Sequence, residues 1–149
     1  MGFLSEGKKV EKRFAKLFNN VEFSSESDDI NKHFDLTIKY KVDVKSLKKV
    51  LRSDDGPNEN VHWVELVNVN GDKGWLYGEA DFFAFELEEY WVIVSREKLI
   101  KLIESKLVKK ETIIPIKYHL YSRKNRKDKL TLVKTLDLMY ISECILRKR

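Results

Sequence analysis

The chain has 149 residues, 42% hydrophobic and 36% charged, the size and balance of one globular domain with a heavily charged surface, which excludes a disordered chain. Its single cysteine, Cys144, excludes an internal disulfide and points to a reducing, intracellular (cytoplasmic) setting, and no apolar run approaches the roughly 20 residues of a membrane span. The net charge of +5 is uneven: residues 1–108 carry 17 basic and 20 acidic side chains, residues 109–149 carry 12 basic and 4 acidic, and that last quarter favours a polyanion such as nucleic acid or an anionic membrane surface.

The opening MGFLSEGKKVEKRF lacks the apolar core of a signal peptide, and Glu6 stands where a myristoylation signal wants Ser or Thr. From Ser5 to Asn20 the residues Val10, Phe14, Leu17 and Phe18 recur at helical spacing, so an amphipathic first helix is expected, followed by a polar loop, SSESDDIN, over residues 24–31. The stretch HFDLTIKYKVDVKSL, residues 33–47, then alternates as two strands with a turn at Lys39 to Lys41. Phe34, Leu36 and Ile38 share one face and His33, Asp35 and Thr37 the other; Val42 and Val44 share a face, with Asp43 and Lys45 opposite. Strands so close in sequence are expected to neighbour each other in one sheet.

SDDGPNEN, residues 53–60, is the strongest turn signal. Residues 61–69, VHWVELVNV, read as a third strand, apolar on both faces and therefore central. After a turn at NGDKG, a short helix is expected around Asp81 to Glu86, then a strand over residues 89–95. Ser95 caps a helix whose stripe is Leu99, Ile100, Leu102, Ile103 and Leu107. Two final strands flank a basic turn from Ser122 to Lys129, and the terminal ILRKR is expected to fray, leaving Cys144 as a passive buried or half-buried residue. The sum is an α/β domain around a mixed sheet.

The charges of residues 33–47 carry the chemistry. Two carboxylates on neighbouring strands can hold Mg²⁺ (or Mn²⁺), with water and a substrate phosphate completing the shell; the metal acidifies a water, and an adjacent lysine orients it or offsets charge at phosphorus. Acidic-x-Lys occurs three times, at Glu6/Lys8, Asp43/Lys45 and Glu104/Lys106, and only the middle one lies in a valine-alternating strand with an Asp on the preceding strand. Asp35 followed by Asp43-Val44-Lys45 resembles the motif of the PD-(D/E)XK nuclease superfamily. Glu11 in GKKVE matches its helical glutamate, Glu6 is an alternative, and Glu65 is a supporting carboxylate.

That resemblance implies a restriction-endonuclease-like core, α-β-β-β-α-β with a mixed sheet flanked by helices, over residues 5–95 of a single domain spanning 1–149. A C-terminal helix and a basic β-hairpin follow. It implies a Mg²⁺-dependent deoxyribonuclease with Asp35 and Asp43 as metal ligands, Lys45 at the reacting phosphate and Glu11 in support. Members of this kind resemble small phage-type or repair and recombination nucleases, including junction-resolving ones, and commonly form homodimers. No proline precedes Asp35, and Asp43 stands where Glu is commoner, so a degenerate fold that only binds is the competing expectation, with an interaction or inhibitor protein as a third.

Arg123, Lys124, Arg126, Lys127 and Lys129 crowd the basic turn as a candidate clamp for the DNA backbone, which Lys48, Lys49 and Arg52 extend. Trp63, Trp75 and Trp91 read as core or core-edge residues, with Trp75 and Tyr77 as candidates for stacking on bases. His33, His62 and His119 have no zinc spacing and read as structural, although His33 shares its strand face with Asp35. Cys144 has no histidine partner for nucleophilic chemistry, and glycine-rich nucleotide motifs are absent.

Overall fold

A computed structural model describes residues 6–149; Gly2 and Ser5 lie outside the described residues. The protein is mixed α/β, with four helices, ten strands and a 3₁₀ turn among the described residues. It divides into two compact units, the first ending at Tyr40 and the second running from Lys41 to Arg149. No helix among the described residues is long and apolar enough to cross a membrane.

In the first unit, α1 spans Glu6–Ala15, with Glu6 in its first turn and Lys12 and Arg13 in its last, as the helix dipole favours. It stops short of the expected Asn20, and a short strand β1, Val21–Phe23, follows. Phe18 packs edge-on against Phe14 at 5.2 Å and against Tyr40 at 6.2 Å. The expected polar loop is instead the helix α2, Glu26–Lys32: Ser25 Oγ accepts from the Asp28 amide at 3.1 Å, and Glu26, Asp28 and Asp29 fill the first turn. His33 ends it in the left-handed region, φ 58°, so His33 does not share a strand face with Asp35. Strand β2, Leu36–Ile38, pairs antiparallel with β1, matching Val21 to Ile38 and Phe23 to Leu36. None of residues 6–40 is fully buried, which fits a segment too short for a core of its own.

The second unit opens with β3, Val42–Lys45, which pairs parallel with β5, Phe82–Glu86. The expected pairing of the two strands of residues 33–47 therefore does not form: β2 bonds to β1 and β3 bonds to β5. The expected helix at 81–86 is the strand β5, whose FFAFE is dense in β-favouring aromatics and buries Phe83 and Phe85 completely. A tight turn, with the Leu87 amide donating to Tyr90 O at 2.8 Å, leads into β6, Tyr90–Ser95. The C-terminus does not fray: β10, Cys144–Arg147, pairs antiparallel with β6, and Cys144 is exposed. The sheet order is β10-β6-β5-β3, with β3 at an edge.

A second sheet, ordered β4-β9-β8-β7, comprises β4 (Val61–Val67), β7 (Val108–Thr112), β8 (His119–Ser122) and β9 (Lys129–Lys134). The hairpin of β8 and β9 around the basic turn is as expected, with Tyr121 opposite Leu130 and Ser122 opposite Lys129. Strand β4 is an edge strand of this sheet, not a central one; its second face is covered because the core reaches it. The helix α3, Arg96–Lys106, is capped by Ser95, whose Oγ accepts from the Lys98 amide at 3.2 Å. A fourth helix, α4, spans Thr135–Ile141.

One continuous core gathers Val64 of β4, Leu76 of the 3₁₀ turn Trp75–Tyr77, Phe83 and Phe85 of β5, Leu99 of α3 and Leu138 of α4. The 3₁₀ turn is held against β4 by Gly74, whose amide donates to Leu66 O at 2.8 Å. A Cβ at Gly74 would lie 2.3 Å from Glu65 O and 2.8 Å from the Leu66 carbonyl carbon, so the two backbones can approach only without it. Gly74→Ala is expected to lower unfolding free energy by about 2 kcal/mol or more in urea melts followed by tryptophan fluorescence; a loss within about 0.5 kcal/mol would show that the turn relaxes freely.

Candidate functional site

Alternation in β3 has the opposite sense from the one expected of a solvated strand. Val42 and Val44 are 49% and 59% exposed, while the Asp43 and Lys45 side chains are 35% and 20% exposed. The register explains it: Asp43 lies opposite Phe83 and Lys45 opposite Phe85, so both charges share the inward side of the sheet. Lys45 Nζ is 2.7 Å from Asp43 Oδ2 and lies over the Trp75 ring at 4.1 Å, an ion pair and a cation–π contact that together replace much of its hydration. Trp75 in turn packs on Phe83 at 4.9 Å and is partly buried against the core.

Glu65 Oε1 accepts from the Trp75 amide at 3.3 Å, which satisfies the charge that an apolar strand would otherwise leave unpartnered. Lys45, His62, Glu65 and Trp75 line a small cavity of about 90 Å³. Asp81, on the approach to β5, accepts from the Lys41 amide at 2.8 Å and so ties down the entry to β3.

The structure sorts the expected metal residues into two pairs. Asp43 and Lys45 belong to the second unit. Asp35 and Glu11 belong to the first, where both border a cleft of about 400 Å³ between α1 and the start of β2. The Asp35 carbonyl also accepts from the Ser24 amide at 2.9 Å, which fixes its backbone beside β1. Among the described residues no group of three or more His, Cys, Asp or Glu is arranged to hold a metal ion.

The basic residues converge more fully. Lys48, Lys49 and Arg52, in the segment after β3, and Arg123 and Arg126, in the β8–β9 turn, line a groove of about 790 Å³. Its floor is one face of the second sheet: Trp63 faces Leu132 across β4 and β9, and Leu130 faces Tyr121 across β9 and β8. The Trp63 and Tyr121 rings meet at 5.1 Å, tilted 38°, and the Trp63 indole N–H donates to Lys49 O at 3.3 Å. Among the described residues no carboxylate lines the groove. Arg123 is anchored by an ion pair with Asp128, itself 2% exposed. Lys124 and Lys127 are exposed on the same turn outside the groove, and Lys129 is engaged by Glu111. Trp63 shares the Glu65 side of β4.

No protein-family model, curated protein or solved structure matches the chain.

His62 is the most perturbed group beside the small cavity. It is 5% exposed, packs on Phe85 at 5.1 Å, and its Nε2 has no hydrogen-bond partner among the described residues. Burial lowers its pKa to about 4, outweighing an upward pull from Glu59. The unfolded chain takes up this proton near pH 6.5 and the folded chain only near 4, so stability is full above pH 6.5 and falls as the pH drops through that window. Urea melts should lose about 2 kcal/mol between pH 7 and pH 5 that His62→Gln does not lose; equal losses in both proteins would show that other groups govern the window.

Proposed function

We propose that the protein binds nucleic acid through the groove of the second unit. The observation that carries this reading is the convergence of five cations, Lys48, Lys49, Arg52, Arg123 and Arg126, on an aromatic floor with no carboxylate in the lining among the described residues. Cations in such a track exchange phosphate counterions and give affinity without reading sequence. Lys48, Lys49, Arg52 and Arg126 form no ion pair among the described residues, so their ammonium and guanidinium groups are available to phosphates. Charge distribution agrees: residues 6–40 hold seven basic and seven acidic side chains, so the whole net charge of +5 resides in the second unit.

A binding titration at several salt concentrations tests this. The logarithm of the affinity should fall linearly with the logarithm of salt, and each neutralisation, Lys48→Ala, Lys49→Ala or Arg126→Ala, should shallow the slope by about 0.7 to 0.9. Binding that is flat in salt, or unaffected by all three variants, would remove the groove from consideration.

A second reading is favoured by the inward placement of Asp43 and Lys45: a Mg²⁺-dependent DNA nuclease of PD-(D/E)XK type on a restriction-endonuclease-like core. In it Asp43 would hold the metal, and the metal would supply an acidified water when bound. Lys45, withdrawn from Asp43, would stabilise charge at the reacting phosphate. Incubation of plasmid, branched and single-stranded DNA with Mg²⁺ or Mn²⁺ should give cleavage that EDTA abolishes and Lys45→Ala reduces by about 100-fold or more. Substrates that bind and stay intact would leave the binding reading alone.

A further inference from the structure

We infer that the groove takes a single strand with its bases stacked on Trp63 and Tyr121, and discriminates against duplex. This rests on the nucleic-acid reading above and names the substrate class for that same site. The argument is a mismatch between the lining and a duplex. A duplex turns its phosphates outward and hides its base faces in the stack, so a duplex-backbone clamp needs cations and hydrogen-bond donors but gains nothing from aromatic faces.

This groove pairs its cations with the rings of Trp63 and Tyr121 and with the aliphatic side chains of Val50, Leu51 and Leu130. Unstacked bases are the nucleic-acid surface that such a lining desolvates favourably, because every base has a π-face. The two rings are tilted by 38° with centroids 5.1 Å apart, so they form one aromatic patch rather than a parallel stack.

The polar handles point to the same occupant. The Trp63 indole N–H is already spent on Lys49 O at 3.3 Å, which locks the ring and leaves its face as the recognition element. An aromatic patch that meets bases by their faces binds them with little distinction among them. The cations lie on two segments, one in the chain after β3 and one in the β8–β9 turn, so the backbone of a strand lying over the rings meets charge from both. Arg123 is held by the buried Asp128 and contributes a fixed guanidinium, whereas the exposed Lys48, Lys49, Arg52 and Arg126 adapt to the phosphates. An acidic polypeptide would satisfy the charges but leave the aromatic floor without a planar partner.

Fluorescence anisotropy with a labelled oligothymidylate of about 15 nucleotides, a blunt duplex of equal length and polyglutamate separates the cases. The single strand is expected to bind at least about tenfold more tightly than the duplex. Trp63→Ala and Tyr121→Leu should each weaken single-strand binding about tenfold while leaving the salt slope unchanged, and Trp63→Phe should retain most of the affinity. Circular dichroism checks that each variant is folded, and Tyr121→Leu carries the test if Trp63→Ala is not.

Equal affinity for duplex, or folded aromatic variants that bind the single strand as the wild type does, would overturn the single-strand inference. The broader reading would survive that result if Lys48→Ala and Arg126→Ala still weaken binding. Failure of every nucleic acid to bind, or tighter binding of polyglutamate, would overturn both.

Discussion

Phe83 and Phe85 are the contact on which the rest of the second unit depends. Both are fully buried on β5, between the edge strand β3 and the hairpin partner β6. Burying a phenylalanine contributes about 1.5–3 kcal/mol, and ring-on-ring contacts add about 0.5–1.5 kcal/mol more, so this short aromatic segment is a large fraction of a marginal fold. Trp75 packs on Phe83 at 4.9 Å, His62 packs on Phe85 at 5.1 Å, and Lys45 lies over the Trp75 ring at 4.1 Å. The chemically interesting side chains therefore hang from the core and are held by it.

That dependence accounts for the inversion of β3. A parallel neighbour in register puts Asp43 and Lys45 on the side of Phe83 and Phe85 whatever the hydropathy of β3 itself prefers. Turning the strand by one residue would bury Val42 and Val44 and expose the charges, at the cost of the Lys45 contact with Trp75. Inward charges on an edge strand also discourage another chain from extending the sheet. The Asp43–Lys45 pair thus has a structural use whether or not it performs chemistry, and this is why its presence alone does not decide between binding and cleavage.

Much of the second unit was legible because its signals are local. Ser95 followed by a leucine and isoleucine stripe specifies α3, and the two apolar runs around Ser122 to Lys129 specify the β8–β9 hairpin. The failures are of two kinds. Phe82–Glu86 reads ambiguously because its turn, Leu87 to Tyr90, has no glycine or asparagine to mark it, and α2 reads as a loop because its capping serine sits among residues equally common in turns. The second kind is non-local. No pattern within residues 33–47 shows that β2 will pair backwards with β1 while β3 pairs forwards with β5, and the face of Asp43 follows from that choice.

The same distinction explains why the groove is the better-founded site. Its cations come from two segments whose basic character is visible in the sequence, and a charged track tolerates errors of an ångström because phosphate attraction is long-ranged and non-directional. A metal centre needs its carboxylates placed within a few tenths of an ångström, which makes it sensitive to every pairing and register decision upstream. The two are also adjacent: Lys48 and Trp63 line both the groove and the small cavity that Lys45, His62 and Glu65 border. Lys45, held between the Asp43 carboxylate and the Trp75 ring, therefore lies beside residues that also line the groove. Because burial keeps His62 neutral, the charged side chains that line that cavity are Lys45, Lys48 and Glu65, and the contact with Asp43 offsets the charge of Lys45.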